Sequence, residues 1–168
     1  YMMSNMQKLP VHDILTLDVH SDCIFEGKVL KVKSVYFDQR LYQLSTVKVS
    51  HVYQGDLKVG QEIAVGELGG RTTVIQDYYG LGLDKVEKEG VDNSPPTKED
   101  DAPLIVGCDG RLPMNVGDEV LLFTRDGSDS LKVGYPVYFE VGAMLGVFYK
   151  QSDGSFYRPE ESADVSAK

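Results

Sequence analysis

Tryptophan is absent from these 168 residues, histidine occurs three times and cysteine twice. Two cysteines, Cys23 and Cys108, are too few for a disulfide scaffold or a cysteine-based zinc site. Two readings of them stay open: a single long-range disulfide, or two buried thiols acting as small apolar groups. Basic residues are also short, 17 Lys and Arg against 26 Asp and Glu, which leaves a net charge of −9. Nucleic acid needs clustered cations to neutralise phosphates, so it is set aside as a partner. An anionic membrane surface is disfavoured for the same reason. No apolar run approaches the ~20 residues that cross a bilayer. The opening residues lack a basic start followed by a long apolar stretch, so no signal peptide is read there; an exported protein without its leader would look the same.

What the chain does have is one short phrase used twice. Lys58-Val59-Gly60-Gln61-Glu62 leads into Ile63-Ala64-Val65, and Asn115-Val116-Gly117-Asp118-Glu119 leads into Val120-Leu121-Leu122-Phe123. Each is a tight turn launching an apolar strand. The expected architecture is a mostly-β domain over 11–158: a small, antiparallel, partly open barrel with one short N-terminal helix. Apolar residues Val11, Ile14, Leu15 and Val19 recur at helical spacing over 11–20. Strands are expected at 23–36, 41–53, 62–67, 71–76, 104–108, 120–124, 136–141 and 144–150, and an Asp153-Gly154 turn leads to Phe156-Tyr157. The alternation slips at Val29-Leu30 beside Gly27, which reads as a bulge. The unpatterned run 120–124 should be covered on both faces. Leu30, Val32, Val47, Val49, Ile63, Val65, Leu121, Phe123, Leu145 and Val147 are the expected core.

Residues 80–103 differ in kind. Within them, 84–101 holds seven acids and three bases, a net −4, and little that is apolar. Such a segment cannot offset its ordering entropy by burial and is expected to be a mobile acidic insertion. Residues 1–10 and 159–168 read as loose tails.

Ser21-Asp22-Cys23-Ile24-Phe25-Glu26-Gly27-Lys28-Val29, then Val47, Val49, Tyr53, Gly55, Val59, Gly60, Gly69 and Gly70, make a familiar order of strand and turn. Val116-Gly117-Asp118-Glu119 with Leu121-Leu122-Phe123 completes it. Over 11–70 and 112–157 this resembles a group of uncharacterised exported or lipid-anchored proteins of Gram-positive bacteria. Their barrels are similar to the OB-fold and to netrin-like, or TIMP-like, modules. The resemblance implies an OB-like barrel outside the cell membrane, and it implies no reaction. The acidic insertion departs from the pattern.

Motif chemistry is thin. His12 and His20 are eight apart on the expected helix, whereas helical metal pairs sit about three or four apart. His51 lies on a strand, and no metal or cofactor is expected. Asp126-Gly127-Ser128-Asp129 and Glu99-Asp100-Asp101 lack the alternating acids and late Glu of a calcium loop and read as turn chemistry. Gly80-Leu81-Gly82 lacks the rest of any phosphate-binding motif, and no nucleophile elbow, zinc-helix motif or Cys-x-x-Cys occurs. The candidate binding residues are aromatic: Tyr78, Tyr79, Tyr135, Tyr138 and Phe139, all close to turns. Barrels of this kind use aromatic platforms to stack ligands.

The expected function is therefore a non-catalytic interaction module, extracellular or anchored at the cell envelope, contacting a protein or glycan. The alternative is a hydrolase using acidic residues on the barrel scaffold. An enzyme should bring two acids together in one cleft; a binder should show an aromatic patch rimmed by polar groups.

Overall fold

The structure is a computed structural model that describes residues 17–86, 94–108, 110–142 and 145–158. Both expected tails and most of the expected helix lie outside the described residues. The part that is described, 17–20, is helical. Its apolar face is carried by buried Leu17, whereas Val19, expected inward, is 78% exposed. Ser21 closes this turn by donating from its hydroxyl to the Leu17 carbonyl.

The chain then enters a long antiparallel hairpin, β1 (Cys23–Phe37) and β2 (Arg40–Gln54). Its turn holds Asp38 and Gln39 at φ 49° and 57°, the left-handed pair that a two-residue hairpin loop requires. β3 (Glu62–Leu68) continues the sheet beside β2. A separate ribbon pairs β4 (Gly70–Thr73) with β5 (Pro103–Val106). β6 (Glu119–Ser128), β7 (Val137–Glu140), β8 (Val147–Lys150) and β9 (Phe156–Tyr157) complete the main sheet, whose order is β1-β2-β3-β7-β6-β8-β9. β1 pairs with β6 as well as with β2. The sheet is mixed: against the antiparallel expectation, β3 and β7 run parallel over Ala64↔Val137, Val65↔Tyr138 and Gly66↔Phe139.

Three apolar clusters hold these strands. The main one takes Phe25, Val29, Val47, Val49, Ile63, Val65, Val120, Leu122 and Val147 from alternate positions of five strands, closed by Met114 and Leu57. A second gathers Leu17, Ile24, Phe123, Val141 and Phe148 on the other face of β6, so both faces of that strand are covered as its unpatterned run requires. A third packs Leu44, Leu131 and Val137 on the outer side of β2 and β7.

Three expectations need correction. Leu30 is 38% exposed because it is the extra residue at the bulge, where the register steps from Val29↔Val47 to Lys31↔Thr46. Inward alternation resumes at Val32. Leu145 is 37% exposed because it sits in a turn, its N–H on the Gly142 carbonyl at 3.4 Å, before β8 begins. The strand expected over 71–76 stops at Thr73, and helix α1 (Val74–Gly80) follows. The Thr73 hydroxyl accepts from the Gln76 N–H at 3.3 Å, an N-cap that overrides the β-branched run. The C-terminal end of the acidic segment is tied to the start of α1. Val74 N–H donates to the Ala102 carbonyl at 3.0 Å and Ile75 N–H to Asp101 at 3.0 Å. Thr97 and Asp100 form a reciprocal cap on the 3-10 turn Lys98–Asp100. Its middle, 87–93, is outside the described residues.

The repeated phrase builds the same fixture twice. Gln61 N–H donates to Lys58 C=O at 3.0 Å and Asp118 N–H to Asn115 C=O at 3.1 Å. Gly60 and Gly117 take φ 88° and 92°, donate to the carbonyls of Val49 and Val29, and the Val49 and Val29 N–H groups donate back to Gln61 and Asp118. The side chains of Gln61 and Asp118 each return to the backbone N–H that opens their own turn. Glu62 then faces Lys48, Glu119 faces Lys28, and Lys28 faces Lys48. The two fixtures are thus related by a local two-fold through the Lys28↔Lys48 pair. They mark where the β1–β2 hairpin takes on β6 on one side and β3 on the other.

Candidate functional site

Two places carry the chemistry of this fold, and both lie along the β3–β7 seam. The first is an open groove of ≈570 Å³ bordered by β1, β2 and β3 and by the residues leading into β7. Past the bulge, Lys31 and Lys33 line it, opposite Thr46 and Leu44. Glu62 and Ala64 extend the floor, and Tyr135, Pro136 and Tyr138 form the other wall. The loop 129–136 holds that wall in place. Asp129 accepts from the Val133 N–H at 2.6 Å and the Gly134 N–H at 3.0 Å. Leu131 anchors in the third cluster, and the Lys33 ammonium stands 5.5 Å from the centre of the Tyr135 ring. The result is one wall of two tyrosine rings with two cations and one carboxylate at the rim.

The second place is inside the sheet. On β2 and β3 the inward positions change from apolar to polar along each strand: Val49, Val47, then Ser45 and Gln43; Ile63, Val65, then Glu67. Gln43 is fully buried and uses both ends of its amide. Its Nε2 shares two hydrogens among three acceptors, the Met114 carbonyl at 2.7 Å, Glu67 Oε1 at 3.0 Å and Ser45 at 3.1 Å, and its Oε1 accepts from Arg71 at 2.6 Å. Glu67 Oε1 also accepts from the Met114 N–H at 2.8 Å. Arg71 reaches in from β4 to the Met114 carbonyl at 3.1 Å and to the Asn115 side chain. The other Glu67 oxygen is sealed from water, as are both oxygens of Glu140. Glu67 and Glu140 come next in register after the parallel pair Gly66↔Phe139, which sets the two carboxyl groups beside each other.

Burial pushes the Glu67 carboxyl up to about 7, against the Met114 N–H, the Glu140 hydrogen bond and the Arg71 charge, which pull it down. Burial is also the first cause that raises the Tyr149 phenol, followed by the charges of Glu67, Glu140 and Asp118. The second cavity, ≈350 Å³, opens beside Phe37, Arg40, Tyr42, Leu131 and Phe139, with Glu67 and Glu140 in its wall.

The five aromatic residues singled out from the sequence divide three ways. Tyr135 and Tyr138 share the groove. Phe139, on the opposite face of β7, packs edge-on against Tyr42 at 6.3 Å and lines the smaller cavity. Tyr78 and Tyr79 sit on α1, 5.2 Å apart, and line neither cavity. Cys23 and Cys108 are thiols and form no disulfide; Cys23 is buried and Cys108 half-buried. Among the described residues no group of three or more His, Cys, Asp or Glu is placed to hold a metal, and no helix is long and apolar enough to cross a membrane.

Sequence reasoning missed Lys31, Lys33, Gln43, Glu67, Arg71 and Glu140. For Glu67 a signal was present: it shares strand parity with Ile63 and Val65, so period-two alternation places a carboxyl on the core face. Gln43 shares parity with Val47 and Val49 in the same way. The chain matches no protein-family model and no curated protein sequence.

Proposed function

We propose that the chain is an OB-like, partly open barrel that works as a non-catalytic binding module of the cell envelope, and that its groove at Tyr135 and Tyr138 takes a short stretch of acidic glycan. The barrel reading is supported by the pairing sequence β1-β2-β3-β7-β6, with β6 returning to β1 and one parallel contact between β3 and β7. Barrels of the OB kind bind on the face of their second and third strands, beside the loop before the last strand. Here that place is the groove, roofed by 129–136. The envelope setting rests on the family resemblance.

The observation that carries the binding reading is the groove lining. Its size falls in the ordinary range for small-ligand sites, about 300–1,000 Å³. Tyrosine faces suit the apolar faces of sugar rings, and Lys31 and Lys33 give a locally cationic rim, suited to carboxylates, on a chain of net charge −9. The hydrolase alternative draws on Glu67 and Glu140, which do converge. Their facing oxygens, however, are buried, and a catalytic acid must reach the atom it protonates.

The test is an NMR titration of isotope-labelled protein with neutral and uronic-acid oligosaccharides. Amide shifts confined to residues 31–33, 46, 62–64 and 135–138, preference for the acidic sugars, and at least tenfold weakening by Tyr135→Ala are expected. Shifts centred elsewhere, no shifts with any sugar, or cleavage of the oligosaccharide would overturn the reading.

A further inference from the structure

We propose that Glu67 and Glu140 are joined by a shared proton that clasps β3 to β7, and that losing this proton loosens the seam on which the groove is built. A carboxylate has no hydrogen to donate, so two carboxyls can bond only when one of them is protonated. Glu67 Oε1 is fully engaged by Gln43 and the Met114 N–H. Its other oxygen is buried on the side where the strand register brings Glu140, whose two oxygens are buried as well. Two ionised carboxylates there would repel in a medium of low polarity.

The position of the pair gives it leverage. β3 and β7 share only three paired residues, against seven for β2 and β3, and parallel pairing is the weaker kind. Glu67 and Glu140 follow directly after the last of those pairs, Gly66↔Phe139. The same seam carries Ile63 and Ala64 on one wall of the groove and Tyr138 on the other. The groups that face the pair are Gln43 and Ser45 from β2, Arg71 from β4, Asp118 from the turn before β6, Thr124 from β6 and Tyr149 from β8. Tyr157 of β9 acts on Tyr149, and Arg40 shares the cavity wall. Arg71 is the sole cation bonded into this network among the described residues, and it is committed to Gln43, Met114 and Asn115. No histidine lines the groove, so a change in its shape near neutral pH would report this pair.

The consequence for ligand uptake rests on the binding reading above; the clasp itself does not, and it is tested without ligand. Glutamate side-chain carboxyl carbons are followed by ¹³C NMR from pH 4 to 9 in the whole chain. Glu67 is expected to titrate with a midpoint near 7, and Glu67→Gln to abolish that step. In parallel, exchange of the amides at 64–66 and 137–139 is followed, corrected for base catalysis and referred to the β1–β2 ladder. Protection of the seam should fall roughly tenfold or more between pH 6 and 8 in the natural chain and stay level in Glu67→Gln. If every glutamate reaches its carboxylate shift by pH 6, no proton is shared and the proposal fails. If Glu67 titrates near 7 while seam protection does not move, the clasp does not hold the strands and the proposal fails equally. The natural chain alone decides both points should the variant not fold.

Discussion

At the scale of single residues, the polar end of the core decides the pH behaviour of the protein. Glu67 ionises near 7 in the fold and near 4.5 in an open chain. Between those values the folded form holds a proton that the unfolded form lacks. Its contribution to stability is therefore complete below about pH 4.5 and drains away as pH rises through 7, by about 3 kcal/mol at most. Urea unfolding at pH 5 and pH 8 should show this loss, and Glu67→Gln should remove most of it. An unchanged slope in the variant would place the titration elsewhere. Gln43 supplies the second prediction. Gln43→Leu keeps the volume but takes one hydrogen-bond partner from each of Glu67 Oε1, the Met114 carbonyl and Arg71, and should cost about 3 kcal/mol or more in a thermal or urea melt. A cost under about 1 kcal/mol would mean that water enters and replaces the amide. These residues were half legible beforehand. Strand parity pointed Gln43 and Glu67 inward, but parity alone cannot say which buried polar groups will meet across strands distant in sequence.

At the scale of elements, the twin turns explain why one phrase recurs in a chain with no other repeat. Each must place a glycine at positive φ, bond the neighbouring strand through that glycine, and start a new strand with Glu against Lys. A Cβ added at Gly60 or Gly117 would meet nothing within 4 Å, so substitution there tests backbone conformation and nothing else. Gly60→Ala and Gly117→Ala should each cost about 1–2 kcal/mol, the strain of an L-residue in the left-handed region. The double variant should cost their sum to within about 0.5 kcal/mol, because the two turns share no partner. Unequal costs would show that the two fixtures are alike in sequence only. Elements were read best where turn chemistry is local: the break between the strands at 23–36 and 41–53, both Gly turns and the bulge near Val29. They were misread where a cap competes with propensity. Thr72, Thr73, Val74 and Ile75 favour a strand, yet the Thr73 hydroxyl and the bonds from Val74 and Ile75 to 101–102 turn the chain into a helix.

At the scale of the whole molecule, the parallel β3–β7 contact was not legible, because no local signal tells a strand which distant strand it will meet. It follows from bringing β7 beside β3 after a long excursion, with Leu131 and Val137 packing on Leu44 to fix it there. The loop 129–136 is what joins that packing to the groove. Asp129 takes two backbone N–H groups of the loop on its two carboxylate oxygens, Lys132 adopts φ 54° beneath them, and Tyr135 follows at the groove wall. Asp129→Ala removes both acceptors at an exposed site where water can replace them, so global stability should fall by only about 1 kcal/mol. The loop itself should respond more strongly: protection of the Val133 and Gly134 amides should drop to that of open chain, and Tyr135 should lose its fixed distance to Lys33. Leu131→Ala should do the reverse, costing about 2–3 kcal/mol of global stability through the cavity left in the third cluster, while the Asp129 bonds persist. Hydrogen exchange and unfolding measured on the two variants separate these effects. If Asp129→Ala leaves Val133 and Gly134 as protected as before, the groove wall is held by Leu131 packing alone, and the carboxylate at 129 is a surface turn residue with no part in shaping the site.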